Sequence, residues 1–279
     1  MAVRATASAS AVRLGALKIE VRVLRPRLSA KITILLLAGL CSWPTAGLHG
    51  TTEIALRNRH RVVLAADSRA IYGSSGSATE CKLFEVGQVY AAVSGLAHYG
   101  ASYRATDAIR DGFARPGTFQ QHVSATASFL ERRVNRLLAA LAANNAPAYR
   151  YLAQPSAGAS DVVQLAVAQV VNRQPILGII ELRQSANGLT LRTTVCPGNC
   201  QPDNAVFYLG YWERIKPYVA ASGQPRSVAS AASIDRLIRM EMQAHPREVG
   251  APINVLELTG DGARWLQNGG NCHLPGVGW

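Results

Sequence analysis

The spacing of apolar residues changes along this chain in blocks, and this grouping limits the possible folds more than any other feature. Between residues 51 and 95 the pattern indicates four short β-strands joined by polar turns. A helical stripe follows, in which apolar residues recur every three or four positions: Val123, Ala127, Leu130, Val134, Leu137 and Leu141. Because strands come in groups instead of alternating singly with helices, the order disfavours a doubly wound parallel sheet.

The rest of the chain repeats this grouping. Thr118 is the expected N-cap of the long helix, and residues 96–112 predict a shorter helix before it. Later segments are strands at 161–171, 176–182, 189–195 and 205–210, a helix at 228–242 and a closing hairpin at 253–266. We therefore predict an α+β fold, a four-layer αββα sandwich of two antiparallel sheets flanked by helix pairs.

The first fifty residues have the layout of an export signal. They supply +6 of the chain's net charge of +12, because their seven Lys and Arg residues face one acid, Glu20. An apolar run at 32–40 follows the basic region, and a small, turn-forming segment at 42–47 follows the run. The run is shorter than the ~20 residues of a transmembrane helix, so membrane contact is expected only through the signal. An ordinary buried helix is the alternative interpretation.

These charges also bear on partners and location. Since half of the positive excess lies in the predicted signal, the basic composition does not indicate a nucleic-acid partner. We predict three segments: an export signal and propeptide at 1–50, one folded domain at 51–266, and a tail at 267–279. The predicted location is periplasmic or extracellular.

Four cysteines lie beyond the predicted signal: Cys81, Cys196, Cys200 and Cys272. An even set in an exported protein predicts disulfides, but three pairings are possible and the spacing does not choose among them. A zinc site made from these cysteines with His273 is a second hypothesis. The two-residue spacing common in zinc knuckles is absent, which disfavours it.

Common catalytic signatures are absent from the sequence. It contains no G-x-S-x-G, H-E-x-x-H, G-x-x-x-x-G-K-[ST] or G-x-G-x-x-G motif. Esterases of the α/β-hydrolase type, zincins, P-loop enzymes and dinucleotide-binding folds therefore lack support. The six histidines are scattered and mark no Ser-His-Asp triad.

A different set of residues stands out in the first block of strands. In order, the set is Gly50-Thr51-Thr52, Asp67 with Arg69, Lys82, and Ser94-Gly95. These residues resemble the proteasome β-subunit family, in which a Gly-Thr junction is cut autocatalytically and the freed threonine is the nucleophile. The resemblance follows the order of elements after residue 50, but its specific letters concentrate in residues 50–97.

The resemblance implies a role for each residue. Thr51 takes the place of the nucleophile and Asp67 that of the aspartate sixteen residues later. Arg69 takes the place of the nearby arginine, which has a supporting role. Lys82 matches the active-site lysine if the intervening loop is one residue shorter here. Gly95 matches the glycine whose backbone N–H is an oxyanion donor.

Elementary chemistry explains why these residue types belong together. A threonine hydroxyl is a weak nucleophile until a base takes its proton, and a free N-terminal amine with a pKa near 8 can do so. Removal of the residues before Thr51 is thus a catalytic requirement. A neighbouring lysine stabilises developing negative charge, and a buried carboxylate such as Asp67 fixes the position of that lysine.

The sequence departs from the family pattern at two places. Tyr211, in Leu209-Gly210-Tyr211-Trp212, stands where the family has a serine that supports the catalytic amine. A hydroxyl of tyrosine is a possible substitute donor. The acidic residue expected just before the final glycine, Gly250, is out of register, with Glu248 as the nearest acid.

The resemblance implies an N-terminal nucleophile hydrolase domain at 51–266 that hydrolyses amides, as a proteasome-like endopeptidase, after processing at Gly50-Thr51. No metal or organic cofactor is expected. The expected substrate is a peptide or unfolded protein, and the expected assembly is a homo-oligomeric ring. A small-molecule amidase or acylase on the same fold and a catalytically silent structural subunit are the alternatives.

Overall fold

The computed structural model describes residues 46–49, 51–72, 76–153, 161–185, 188–200, 204–221, 230–274 and 277. Residues 1–45, which hold most of the predicted export signal, lie outside this part of the chain, and so does Gly50 of the predicted cleavage junction. Within the described part, no helix is long and apolar enough to span a membrane. One compact unit covers residues 44–279.

Among the described residues, nine strands form the larger of two antiparallel sheets. They are β1 (Ala46–His49), β4 (Arg69–Tyr72), β5 (Ser77–Thr79), β6 (Leu83–Val86), β7 (Val89–Tyr99), β8 (Tyr103–Arg104), β9 (Asp161–Val171), β10 (Gln174–Ser185) and β11 (Gly188–Cys196). Their order is β11-β10-β9-β7-β1-β4-β5, and β6 and β8 also pair with β7. The sheet therefore branches at β7.

Five strands form the smaller sheet: β2 (Thr52–Asn58), β3 (Arg61–Ala66), β12 (Asn204–Gly210), β13 (Asn254–Thr259) and β14 (Gly262–Gln267). Their order is β12-β2-β3-β13-β14. The tight turn between β2 and β3 forms because Asn58 Oδ1 accepts hydrogen bonds from the backbone N–H groups of His60 and Arg61, each at 2.9 Å. This turn sets the register in which β2 pairs with β3.

The helices in the described residues are α1 (Ala105–Phe113), α2 (Phe119–Asn144), α3 (Ala146–Ala153), α4 (Ile215–Ala221) and α5 (Ala231–Ala244). Thr118 caps α2 as predicted: its hydroxyl accepts a hydrogen bond from the Gln121 N–H, and Gln121 Oε1 accepts one from the Thr118 N–H, which completes the capping box. The predicted apolar stripe of α2 is buried throughout.

The helix predicted at 96–112 is wrong in its first part. Residues 96–99 continue β7, where they pair with β1, and the helix begins only at Ala105. This pairing joins segments about fifty residues apart in the sequence, so local periodicity does not reveal it.

Buried apolar side chains form three clusters. One joins β7, β9 and β10 to α1 and α2, a second joins strands of the two sheets, and a third joins β2 and β3 to α5. Strands β2 and β3 thus contribute side chains to two clusters, which explains why β2 is apolar or buried at nearly every position.

The predicted four-layer αββα sandwich flanked by helix pairs is wrong. The described residues are mostly β, with 44% in strands and 31% in helices. Three helices of 9, 26 and 8 residues lie between β8 and β9, whereas α4 and α5 have 7 and 14 residues. The prediction inferred equal helix pairs and unbranched sheets from the order of segments along the chain. That order does not reveal the branching of the larger sheet at β7, nor does it reveal the strands β1, β4 and β5.

The structure selects one of the three disulfide pairings that the sequence allows. Cys81 is bonded to Cys272, and Cys196 to Cys200. Because each of these cysteines is in a disulfide, none is available as a thiolate for the zinc site considered with His273. The first bond attaches the C-terminal tail to the residue before Lys82. Disulfides of this kind fit an oxidising, exported environment.

Candidate active site

Asp67 and Lys82 form a fully buried ion pair. The Lys82 Nζ atom lies 2.9 Å from Asp67 Oδ1, and the exposed fraction of both side chains is 0%. Asp67 follows β3 and Lys82 precedes β6, so the pair joins the two sheets at this point. A buried lysine is tolerated here because a carboxylate compensates its charge.

Three backbone N–H groups complete the surroundings of the Asp67 carboxylate. Thr52 donates to Oδ1 at 3.0 Å, while Arg69 and Gly250 donate to Oδ2 at 3.0 and 2.9 Å. The Oδ1 atom therefore accepts from both Lys82 and the residue that follows Thr51. Gly250, before which the family pattern has an acidic residue, thus reaches Asp67 through its own backbone N–H.

Thr51 is buried at the start of the smaller sheet. Its carbonyl oxygen accepts a hydrogen bond from the Tyr211 N–H at 2.8 Å. Its hydroxyl oxygen is buried and has no hydrogen-bond partner in the described part of the chain. An unsatisfied buried hydroxyl is unusual in a native structure and is a feature that a reactive group can have.

Gly210 packs directly against Thr51. Its φ of +73° favours glycine, and a Cβ at this position would overlap the Thr51 carbonyl oxygen. Its N–H donates to Gln164 Oε1 at 2.6 Å. The sequence pattern pointed to Gly210 only as the residue before Tyr211, which stands where the family has a serine. Gln164 was not predicted.

Tyr211 and Arg69 contact the site differently from the sequence prediction. Tyr211 contributes its backbone N–H, and its ring packs on His245 with the ring centroids 4.5 Å apart. The Arg69 guanidinium reaches the carbonyl oxygen of Pro246 and lies against Gly250. Arg69 therefore holds the loop before Gly250 close to Asp67.

Glu53 is a buried acid that the sequence analysis missed. It is fully buried in β2, and neither carboxyl oxygen has a hydrogen-bond partner among the described residues. Burial raises the pKa of Glu53 well above its ordinary value, and the positive charge of Lys82 partly opposes that rise. Burial also lowers the pKa of Lys82, against the opposing effect of Asp67. The signal in the sequence is an acid at the start of a strand, directly before the apolar residues Ile54, Ala55 and Leu56.

Strand β1 lies immediately before the predicted cleavage junction and fills a gap in the larger sheet. It is antiparallel to both neighbours: Leu48 pairs with Ile71 of β4 and with Leu96 of β7. Gly95, the predicted oxyanion donor, pairs with His49. The φ of Gly95 is +79°, and a Cβ there would lie 2.5 Å from the Val162 carbonyl oxygen, so a side chain does not fit.

The structure thus brings Thr51, Asp67 and Lys82 together and places Gly95 beside the strand that leads to Thr51. It adds Glu53, Gln164 and Gly250 to the same region. Their catalytic roles stay predictions, since geometry alone does not show turnover.

No protein-family model matches the chain, and no curated protein sequence matches it. Solved structures do match. The helical assembly of the Anbu complex from Pseudomonas aeruginosa has a TM-score of 0.51 at 18% identity, over 75% of this chain and 81% of that one. Anbu (ancestral beta-subunit) from Yersinia bercovieri has a TM-score of 0.49 at 11% identity, over 77% and 86%. An Anbu mutant from Hyphomicrobium sp. strain MC1 has 0.47 at 12%, over 74% and 80%.

The first of these likenesses shows a shared fold. The chain shares the fold of the Anbu protein from Pseudomonas aeruginosa. The assignment to the proteasome β-subunit family itself is wrong: the similar structures are Anbu proteins, and no family model matches. The few letters of the motif in residues 50–97 were too short a basis for assigning a family.

Proposed function

We propose that this chain is a threonine-type amide hydrolase whose nucleophile is Thr51, freed by cleavage of the Gly50-Thr51 bond. The observation that carries this proposal is the buried Lys82–Asp67 pair, because Asp67 Oδ1 also accepts from the N–H of Thr52. One carboxylate oxygen thereby links the lysine to the backbone beside the nucleophile. A purely structural strand has little need of a fully buried lysine.

The proposed chemistry begins with removal of the residues before Thr51. The new N-terminal amine takes the proton from the Thr51 hydroxyl, whose oxygen attacks the substrate carbonyl. The amide C–N bond then breaks, the leaving amine takes up that proton, and an acyl-enzyme ester remains. A water molecule hydrolyses this ester, which releases the acid product and restores the Thr51 hydroxyl. The lowered pKa of Lys82, caused by burial, brings its amine closer to proton exchange near neutral pH. The backbone N–H of Gly95 stabilises the negative charge that develops on the carbonyl oxygen.

The position of β1 supports an extended peptide as the substrate. In the precursor, the residues on the N-terminal side of the bond to be cut form a strand between β4 and β7. A peptide that replaces β1 after cleavage uses the same backbone hydrogen bonds on both sides. A small acyl amide lacks most of these bonds, so the geometry favours an endopeptidase over the alternative of a small-molecule amidase.

The location and the assembly are part of the same proposal. The two disulfides fit export to an oxidising compartment. The proposal includes a cleavable signal that directs the chain to that compartment. The Pseudomonas aeruginosa protein of similar fold forms a helical assembly. We therefore propose a homo-oligomer of the open, helical type for this chain as well, in place of a closed ring.

Intact-mass measurement on the purified protein tests the proposed function. Full-length chain expressed with export should yield a mature form that begins at Thr51 and cleaves fluorogenic peptides. Thr51→Ala should fold but keep the residues before position 51 and lose peptide cleavage. Thr52→Ala is the matched control and should still be processed before Thr51. An identical upstream N-terminus in the wild type and in Thr51→Ala would contradict self-processing and favour a catalytically silent subunit.

A further inference from the structure

Three metal-ligating side chains meet behind Tyr211, outside the proposed catalytic group. Glu213 follows β12, while Glu241 and His245 lie one turn apart at the end of α5. One ligating atom from each residue lies within 4.8 Å of the other two. No sequence motif indicated this cluster, because its members are 28 and 4 residues apart and unite only in the fold.

The distances within the cluster suit a shared metal ion. His245 Nε2 lies 3.5 Å from Glu213 Oε2 and 3.6 Å from Glu241 Oε2. These separations are too long for good hydrogen bonds. Two ligands that are each about 2.1 Å from one tetrahedral metal ion are roughly 3.4 Å apart, so the spacing agrees with a common centre.

Glu241 provides an independent observation that points into this centre. Its side chain has an exposed fraction of 0%, and its Oε1 accepts the N–H groups of Arg214 and Ile215 at 2.7 and 2.8 Å. Its Oε2, which faces His245, is buried and has no hydrogen-bond partner among the described residues. One oxygen of this carboxylate is therefore fixed by two backbone N–H groups, while the other faces His245 at 3.6 Å and accepts no hydrogen bond from the described residues.

We propose that Glu213, Glu241 and His245 bind a divalent transition-metal ion, with zinc or manganese as the chemical class. Two carboxylates and one imidazole form a ligand set that such ions accept, and the double negative charge matches a divalent cation. The disulfides remove the described cysteines as competing ligands. The ion supplies the missing partner of Glu241 Oε2.

The proposed ion has a structural role. Glu213 lies in the segment after Gly210, and the other two ligands lie at the end of α5, so one ion connects these segments. Tyr211 is between the ion and Thr51: its ring packs on His245 and its N–H holds the Thr51 carbonyl. Metal binding should therefore stabilise the wall behind Thr51. This inference does not depend on whether Thr51 is catalytic.

Calorimetric titration of chelator-treated, full-length protein with zinc or manganese chloride tests the proposal. We expect one ion per chain and a higher midpoint of thermal unfolding when the metal is present. His245→Gln and Glu213→Gln should each weaken binding by about tenfold or more. Glu241→Gln retains the acceptor for the α4 backbone and should weaken binding equally. His60→Gln removes an exposed histidine elsewhere and should bind like the wild type.

Two outcomes would overturn the proposal. If the wild type binds neither metal, His245 serves only as an ion-pair partner of the two acids. If metal binds but the three site variants bind as tightly as His60→Gln, the ion occupies another place. X-ray absorption of the zinc-loaded protein gives a second readout, in which nitrogen and oxygen ligands are expected and sulfur ligands would contradict the site. Glu213 is partly exposed, so its variant remains informative if His245→Gln fails to fold.

Discussion

At the scale of single residues, the candidate site combines buried charges with hydrogen bonds from backbone N–H groups. Asp67 has a partner for each oxygen, whereas the Glu53 carboxyl, in the same region, has no hydrogen-bond partner among the described residues. The family resemblance made Thr51, Asp67, Lys82 and Gly95 candidates, with a loop one residue shorter before Lys82, and their catalytic roles stay predictions. The resemblance was not enough to predict Glu53, since an acid near the start of a strand ordinarily faces water, and only packing on both faces of β2 buries it.

The Lys82–Asp67 pair should be important for stability as well as for activity. Lys82→Met leaves the Asp67 charge uncompensated, and losing one partner of a buried pair typically costs about 3 to 5 kcal/mol. Asp261→Asn breaks an exposed pair with Arg173 and should cost less than about 1 kcal/mol. Urea unfolding measures both. Equal losses in the two variants, or normal processing in Lys82→Met, would contradict the proposed role of the pair.

Glu53 should make stability depend on pH in a defined direction. Its folded pKa is raised by burial, so its contribution to folding is full below its unfolded pKa near 4.3 and is lost as the pH rises through the folded value. Glu53→Gln removes this loss, and its stability relative to the wild type should increase from pH 4 to pH 8. Urea unfolding across this range tests the slope. Glu53→Asp retains a titrating carboxyl and should keep the dependence of the wild type.

At the scale of elements, the helix and hairpins that local signals predict are confirmed, whereas strands that depend on pairing between distant segments were missed. The capped helix α2 and the hairpins of β9 with β10 and β13 with β14 follow from periodicity and turn residues, and they are confirmed. The extension of β7 to Tyr99 and the strands β1 and β4 depend on partners far along the sequence. No local pattern specifies these partners, so the start of α1 was predicted too early.

Strand β1 should control self-processing through its backbone. Leu48→Pro removes an N–H group from the middle of β1, where the neighbours on both sides are strands. The loss of one hydrogen bond, about 0.5 to 1.5 kcal/mol, should slow processing by about two- to tenfold. Ala46→Pro places proline at the first strand residue, where it is tolerated, and should be processed normally. A pulse-labelled time course of precursor mass measures this, and equal rates would argue against strand-guided cleavage.

At the scale of the whole molecule, the fold depends on contacts between segments that are far apart in the sequence. The composition and the export-type leader were enough to predict disulfides, but only the folded chain brings Cys81 and Cys272 together across 191 residues. The prediction of equal layers, made from the order of segments, was wrong for the same reason. Sheet branching and unequal helices are consequences of how all segments pack at once.

The two disulfides should differ in their contribution to stability. Chain entropy predicts about 5 kcal/mol for the bond that closes 191 residues and about 2 kcal/mol for the bond between Cys196 and Cys200, which closes 4. The double variants Cys81→Ser with Cys272→Ser and Cys196→Ser with Cys200→Ser allow a direct comparison by urea unfolding. Free thiols in unreduced wild type, or a larger loss from the short bond, would contradict the assignment.

Strand β1 also has a consequence for the life cycle of the protein. In the order β7-β1-β4-β5, β1 is the one strand in the described part of the chain that pairs the hairpin of β4 and β5 with the rest of its sheet. If β1 departs after cleavage, the mature sheet is incomplete until a guest peptide restores it. Under the proposed function, β1 thus blocks the peptide position of the precursor until it is cleaved off. In each later turnover, the gap between β7 and β4 is filled when a peptide binds and opens again when the products leave.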